Sequence, residues 1–169
     1  MPSESTPEAL RALLARKSLA DERHRGALAR LLHLTDTDVL AIQHLAWAGA
    51  LTPGQLSAQL RLTSGGTAAL LQRLERSGYV AREPHPEDRR STLLRLTPEA
   101  ERDAGELYAP LVRAIDAAAG GLAEEARETV LSFLRVVAEL GEHHADELVR
   151  AAEAGRPRIP RVPVPGLWA

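Results

Sequence analysis

Leu70-Leu71-Gln72-Arg73-Leu74-Glu75-Arg76-Ser77-Gly78-Tyr79-Val80-Ala81-Arg82 changes its period part-way along. Leu70, Leu71 and Leu74, at three- and four-residue steps, make the buried face of a helix. Ser77-Gly78 stops that helix, and Tyr79-Val80-Ala81-Arg82 starts a short strand. Downstream, Thr92-Leu93-Leu94-Arg95-Leu96 reads as the returning strand, and Pro84-His85-Pro86-Glu87-Asp88-Arg89-Arg90 as a hairpin loop with a charged tip. Upstream, Thr63 or Ser64 caps the leucine-bearing helix. Before it, Thr52-Pro53-Gly54-Gln55 matches a capping box with proline at the first helical position, and Leu56 and Leu60 form a short apolar stripe. Two short capped helices with a tight connection make a helix-turn-helix, here followed by a hairpin.

The flanks are helical. Thr6-Pro7 opens a long amphipathic helix carrying Leu10, Leu13, Leu14, Leu28, Leu31 and Leu32, and Thr35-Asp36-Thr37-Asp38 opens another that ends at Gly49. Thr97-Pro98 restarts a helix bearing Leu107, Leu111 and Ile115, with Pro110 expected to kink it. After Gly120-Gly121, a last helix sets Val130, Leu134, Val137, Gly141, His144 and Leu148 in a heptad seam, which points to an interhelical contact. From Gly155, Arg-Pro-Arg-Ile-Pro-Arg-Val-Pro-Val-Pro is extended or polyproline-like. The expected organisation is a helical region over 7–33 and 98–152, a helix-turn-helix with a hairpin over 34–97 and a proline-rich tail over 153–169. The tail's arginines and Trp168 suggest a clasp across the acidic helices.

Composition narrows the function. In 169 residues there are five aromatic side chains (Trp47, Tyr79, Tyr108, Phe133, Trp168), so the core must be Leu, Ala and Val, and a stacking platform for single-stranded nucleic acid is disfavoured. The absence of cysteine excludes disulfides, thiolate metal sites, cysteine nucleophiles and thiol redox sensing. No signal stretch or membrane-length apolar run is present, so a cytoplasmic protein with no membrane partner is expected. The net charge of −2 hides segregation: residues 50–97 carry 7 basic and 4 acidic groups, residues 98–155 carry 5 and 13. A basic middle on an acidic scaffold suits a module that faces DNA. Only Lys17 of the 21 basic residues is lysine, so arginine as a type carries no information.

The run from Leu70 to Arg82, the Asp88-Arg89-Arg90-Ser91 tip and the Leu96-Thr97 restart, in this order and spacing, resemble the MarR (multiple antibiotic resistance regulator) family of winged helix-turn-helix transcription factors. The resemblance spans roughly residues 8–150. It implies a mainly α protein with a short β-hairpin wing. It also implies a homodimer, its first and last helices interlocked, that places two recognition helices in successive major grooves of a pseudo-palindromic operator in double-stranded DNA and most simply represses transcription. It further implies that Arg82 and Asp88 brace the wing, and that a cleft near His33, His44 and Trp47 takes a small aromatic or amphipathic effector.

Site residues follow from chemistry as well. Ser64, Gly65, Gly66 and Thr67 fall in the first turn of the recognition helix, where unpaired N–H groups and small side chains can approach phosphates and base edges. Ala68 and Ala69 leave thymine-methyl contact as the direct readout. Arg73, two and a half turns beyond Ser64, suits a phosphate, and Arg76 does so less well; pairing with Glu75 or Asp88 is the plain alternative for both. Arg89 and Arg90 suit a minor groove, whose negative potential attracts arginine. Among six histidines, His143 and His144 are adjacent and point about 100° apart on a helix, so they cannot readily share a metal. His33 and His44 could approach an interface metal site, although packing or hydrogen bonding is the commoner fate of such residues. No metal or other cofactor is expected, and no Ser/His/Asp order, phosphate loop or paired carboxylates support an enzyme. The alternatives are a winged-helix dimer that binds protein and a zinc-responsive regulator.

Overall fold

A computed structural model describes residues 6–88 and 90–155 of the chain. The elements run α1 (Pro7–Leu32), α2 (Asp36–Ala48), α3 (Pro53–Leu60), α4 (Ser64–Arg76), β1 (Val80–Pro84), β2 (Thr92–Leu96), α5 (Pro98–Gly120) and α6 (Glu124–Glu153). One device opens the first five helices. The hydroxyls of Thr6, Thr35, Thr52, Thr63 and Thr97 each accept the backbone N–H three residues on, at 3.1–3.2 Å. That settles the cap of α4 on Thr63 and leaves Ser64 as its first helical residue.

The helix ends are less uniform. Gly49 (φ +72°) and Gly78 (φ +77°) take the positive φ that glycine adopts without steric penalty. His33 (φ 55°) and Arg61 (φ 52°) take it too, without glycine's freedom. Arg61 makes the turn between α3 and α4. Helix α5 continues through Pro110.

β1 and β2 pair antiparallel, with Val80 opposite Leu96 and Pro84 opposite Thr92. Leu51 adds a bridge to Leu94 through two backbone hydrogen bonds of 2.8 and 3.1 Å, which anchors the hairpin to the segment between α2 and α3.

The chain divides after Leu107 into two units. In the first, Ala41, Ile42 and Leu45 of α2, Leu56 of α3, Leu70, Leu71 and Leu74 of α4, and Val80, Leu94 and Leu96 of the hairpin form one buried cluster, closed by Ala100. The second begins at Tyr108. Its α6 buries no residue and leaves Val130, Leu134, Leu140 and Leu148 exposed. The proline-rich tail proposed as a clasp lies outside the described residues.

Candidate nucleic-acid interface

The phase of α4 is set by what it buries. Thr67, Leu70, Leu71 and Leu74 face the core, so at about 100° per residue the opposite stripe is Gly65, Ala69, Gln72 and Arg76, all exposed. Ser64, Ala68 and Glu75 lie along one flank of this stripe and Arg73 along the other. Gln72 was not among the residues singled out from sequence. The signal was available, because a wheel drawn through the three leucines already places Gln72 on the outward line.

The first turn divides between outward and inward roles. A Cβ at Gly65 would meet nothing within 4 Å, whereas one at Gly66 would come within 3.3 Å of the Thr63 hydroxyl. Gly66 therefore has an internal reason to be glycine and Gly65 has none. Thr67 departs from its expected place at the surface. It is 4% exposed, and its hydroxyl donates to the Thr63 carbonyl at 3.0 Å, so it supports the start of the helix rather than presenting a hydrogen-bonding group outward.

Arg73 has a partner that neither sequence alternative named. Its Nη2 donates to Oδ1 of Asp38 at 2.8 Å, and its Nε lies 3.4 Å from Oδ2. Asp38, on α2, is 2% exposed. Burial raises the pKa of its carboxyl. The hydrogen bonds from Arg73 and Thr35, together with the Arg73 charge, outweigh that and hold the carboxyl below its usual value. Arg73 itself keeps 47% of its side chain exposed.

The wing is braced differently from the expectation that Arg82 and Asp88 act together. The Nε of Arg82 donates to Glu75 at 2.6 Å, which ties β1 to the flank of α4. Asp88 is spent on its own turn: its Oδ1 accepts the backbone N–H of Arg90 at 2.9 Å, and its carbonyl accepts that of Ser91 at 2.9 Å. A carboxylate folded back on backbone two residues ahead forms an Asx-type turn, while the arginine takes Glu75 as its partner. His85 completes the tip, its Nδ1 accepting the N–H groups of Glu87 and Asp88. Arg90 is exposed there, and Arg89 lies outside the described residues. A brace missed from sequence is Arg95, which bonds Glu83 at 2.8 Å and the Gly49 carbonyl at 3.1 Å. The Thr97 hydroxyl donates to the Gly78 carbonyl at 2.7 Å, which joins the two ends of the motif.

The suggested effector residues differ in their exposure. His33 is exposed and serves as the left-handed end of α1. His44 is half-buried, and Trp47, one turn on, is 93% exposed. A cavity of about 290 Å³ lies elsewhere, lined by Pro53, Gly54, Ser57, Ser64, Thr67, Ala68, Leu71 and Arg82. Among the described residues there is no cluster of three or more His, Asp or Glu side chains able to hold a metal, and no helix is long and apolar enough to cross a membrane.

The MarR family profile matches residues 32–91, which hold α2, the helix-turn-helix and the first strand of the hairpin. An uncharacterized HTH-type transcriptional regulator of Bacillus subtilis (strain 168), YcgE, is 33% identical over 122 residues, 72% of this chain and 79% of that protein. The chain belongs to the MarR family. It is a DNA-binding transcription regulator with a winged helix fold, and its relatives are regulators rather than enzymes. Among solved structures, NadR in complex with 4-hydroxyphenylacetate aligns at a TM-score of 0.59 and 27% identity, covering 83% of this chain and 97% of that one. The transcriptional regulator Tm0710 from Thermotoga maritima aligns at 0.56 over 82% and 97%, with 22% identity, and speaks for the fold alone.

Proposed function

We propose that this MarR-family chain acts as a cytoplasmic homodimeric repressor. Its two α4 helices enter successive major grooves of a pseudo-palindromic operator, and a small aromatic or amphipathic molecule releases it. The observation that carries the groove reading is the outward stripe of α4. Gly65 and Ala69 leave the backbone approachable in its first half, and Gln72 and Arg76 place an amide and a cation in its second. Ser64 and Ala68 belong to the approaching edge, Arg73 reaches a phosphate from the other flank, and Arg90, with Arg89, serves the wing in the minor groove.

Dimerisation is assigned to residues 7–33 and 98–152, with 34–97 as the DNA-binding region. Exposed leucines along α1 and α6 support this, and α6, which has an apolar face and no buried residue, leaves that face for a packing partner. For the effector, NadR's aromatic acid supports a ligand of that class. His33, His44 and Trp47 would then line a pocket completed by other parts of the dimer. The Arg82 cavity is a second reading, favoured by its apolar walls and single guanidinium.

Gel-shift titration of the purified chain against duplexes from its own promoter and the neighbouring divergent one tests the function. A discrete complex of two protomers per site, competed by specific but not random duplex, is the expected result. Binding of equal strength to every duplex would overturn the operator reading. Titrating phenolic acids while following Trp47 fluorescence, with Trp168→Phe to remove the second reporter, tests the pocket. An operator-releasing ligand that leaves Trp47 unchanged would move the pocket to the Arg82 cavity.

A further inference from the structure

Two helices converge on the carboxylate of Asp38. As the third residue of α2 it closes a capping box, its Oδ2 accepting the N–H of Thr35 at 3.1 Å. A cap needs one neutral oxygen. Gln55 performs the same task in the α3 box, accepting from Thr52 at 2.8 Å. Capping therefore does not explain why a full charge is kept at a buried position, where an unpaired one would be costly. The second oxygen is what the charge adds, and it is committed to Arg73, 35 residues away on α4.

Arg73 is not there merely to neutralise a core charge, since nearly half of its side chain stays exposed on the flank of the recognition helix. A free arginine at such a place would lose rotamer entropy on every phosphate contact. One held through Nε and Nη2 has already lost it, and the fork geometry leaves the other Nη for an anion.

We propose that Asp38 is a positioning residue for operator binding. It fixes the Arg73 guanidinium on the flank of α4 so that the unused edge meets a DNA phosphate, and it thereby registers the start of α2 with the recognition helix on the duplex. The proposal rests on the α4-in-groove reading above. It also opposes simple electrostatics. Removing a carboxylate beside DNA should tighten binding if charge alone matters. Removing a positioning carboxylate should weaken it.

The test uses the full chain and a duplex selected by the wild-type protein from a random-sequence pool. Asp38→Asn keeps the shape and one capping oxygen. It should bind about fivefold more weakly, as expected when a charge-assisted contact loses its orientation. In its background, Arg73→Ala should cost less affinity than in wild type. Unchanged or tighter binding by Asp38→Asn overturns the proposal, as does an Arg73→Ala cost equal in both backgrounds.

Should Asp38→Asn fail to fold, Arg73→Lys decides, because it keeps the charge but cannot span the carboxylate. Binding equal to wild type then overturns positioning, and a loss of similar size supports it. If Arg73→Ala binds as wild type does, Arg73 is no contact and the proposal falls while groove binding stands. A wild-type chain that selects no duplex removes both.

Discussion

The stretch from α2 to β2, within the chain up to Leu107, and helix α6, within the chain from Tyr108, use leucine in opposite ways. In the first unit, leucines from α2, α3, α4 and the hairpin meet in one cluster and lie almost fully buried. In the second, Val130, Leu134 and Leu148 of α6 recur at heptad-like steps and stay exposed. The difference shows which part can be stable alone. A unit that buries its apolar face has its folding energy in hand, whereas a long helix with no buried side chain depends on a partner surface for most of its stability.

The sharpest way to break this comparison is to delete one leucine from each unit. Leu74→Ala removes a side chain with no exposure and should cost about 2–5 kcal/mol, read by chemical denaturation at fixed protomer concentration. Leu134→Ala should cost less in a single protomer and act chiefly by shifting the oligomeric state, read by sedimentation across a dilution series. Equal losses with unchanged sedimentation would mean that the second unit has a packed interior of its own.

Next in size is the ion pair inside the first unit. Arg73→Ala strands the Asp38 carboxylate, which is 2% exposed, and should destabilise by about 3 kcal/mol. The surface pair of Arg82 and Glu75, both partly exposed, should give less than about 1 kcal/mol. The folded carboxyl of Asp38 lies below the usual 3.8, so its contribution is complete above that value and is lost as pH falls through the folded pKa. The stability difference between wild type and Asp38→Asn should accordingly hold at neutral pH and shrink below about pH 3.8. A difference that persists undiminished into stronger acid would assign the stabilisation to packing.

These two cases mark how far the sequence could be read. Threonine caps, glycine stops and the leucine period are local signals, and they placed every element from Thr6 to Gly120. The Asp38–Arg73 pair joins residues 35 positions apart and depends on how α2 crosses α4, which no local pattern carries. The Arg82–Glu75 pair was hidden because Asp88 looked equally available until its turn was seen to use it. The burial of Thr67 could have been read from its phase with Leu70, Leu71 and Leu74. His33 and Arg61 ended helices without the glycine that normally marks such a place.

At the wing, Arg90→Ala should leave the fold untouched, since the side chain is exposed and Asp88 bonds only the backbone N–H of residue 90. Its loss should weaken operator binding by about 1–3 kcal/mol, with the larger effect on sites whose flanking minor groove is narrow. Unchanged affinity at physiological salt would take Arg90 out of the interface and leave the wing contact, if there is one, to Arg89.

The smallest expected effect compares the two units most directly. Gly65 on α4 and Gly141 on α6 are both helical, and a Cβ added at either would meet nothing within 4 Å. Neither glycine is demanded by the fold around it, and each costs its helix about 0.5–1 kcal/mol relative to alanine. Gly65→Ala and Gly141→Ala should therefore each raise the stability of the isolated protomer by that amount. If the open space is kept for a partner, each gain comes with a specific loss. Gly65→Ala should weaken DNA binding and spare the dimer, because its Cβ stands on the outward stripe of the recognition helix. Gly141→Ala should loosen the dimer and spare the intrinsic DNA contacts, because its Cβ stands in the heptad seam. Melting temperature, sedimentation and gel shift on the two variants separate these outcomes. A variant that gains stability and loses nothing would show that its glycine faces only water, and a crossed pattern would reverse the roles of the two units.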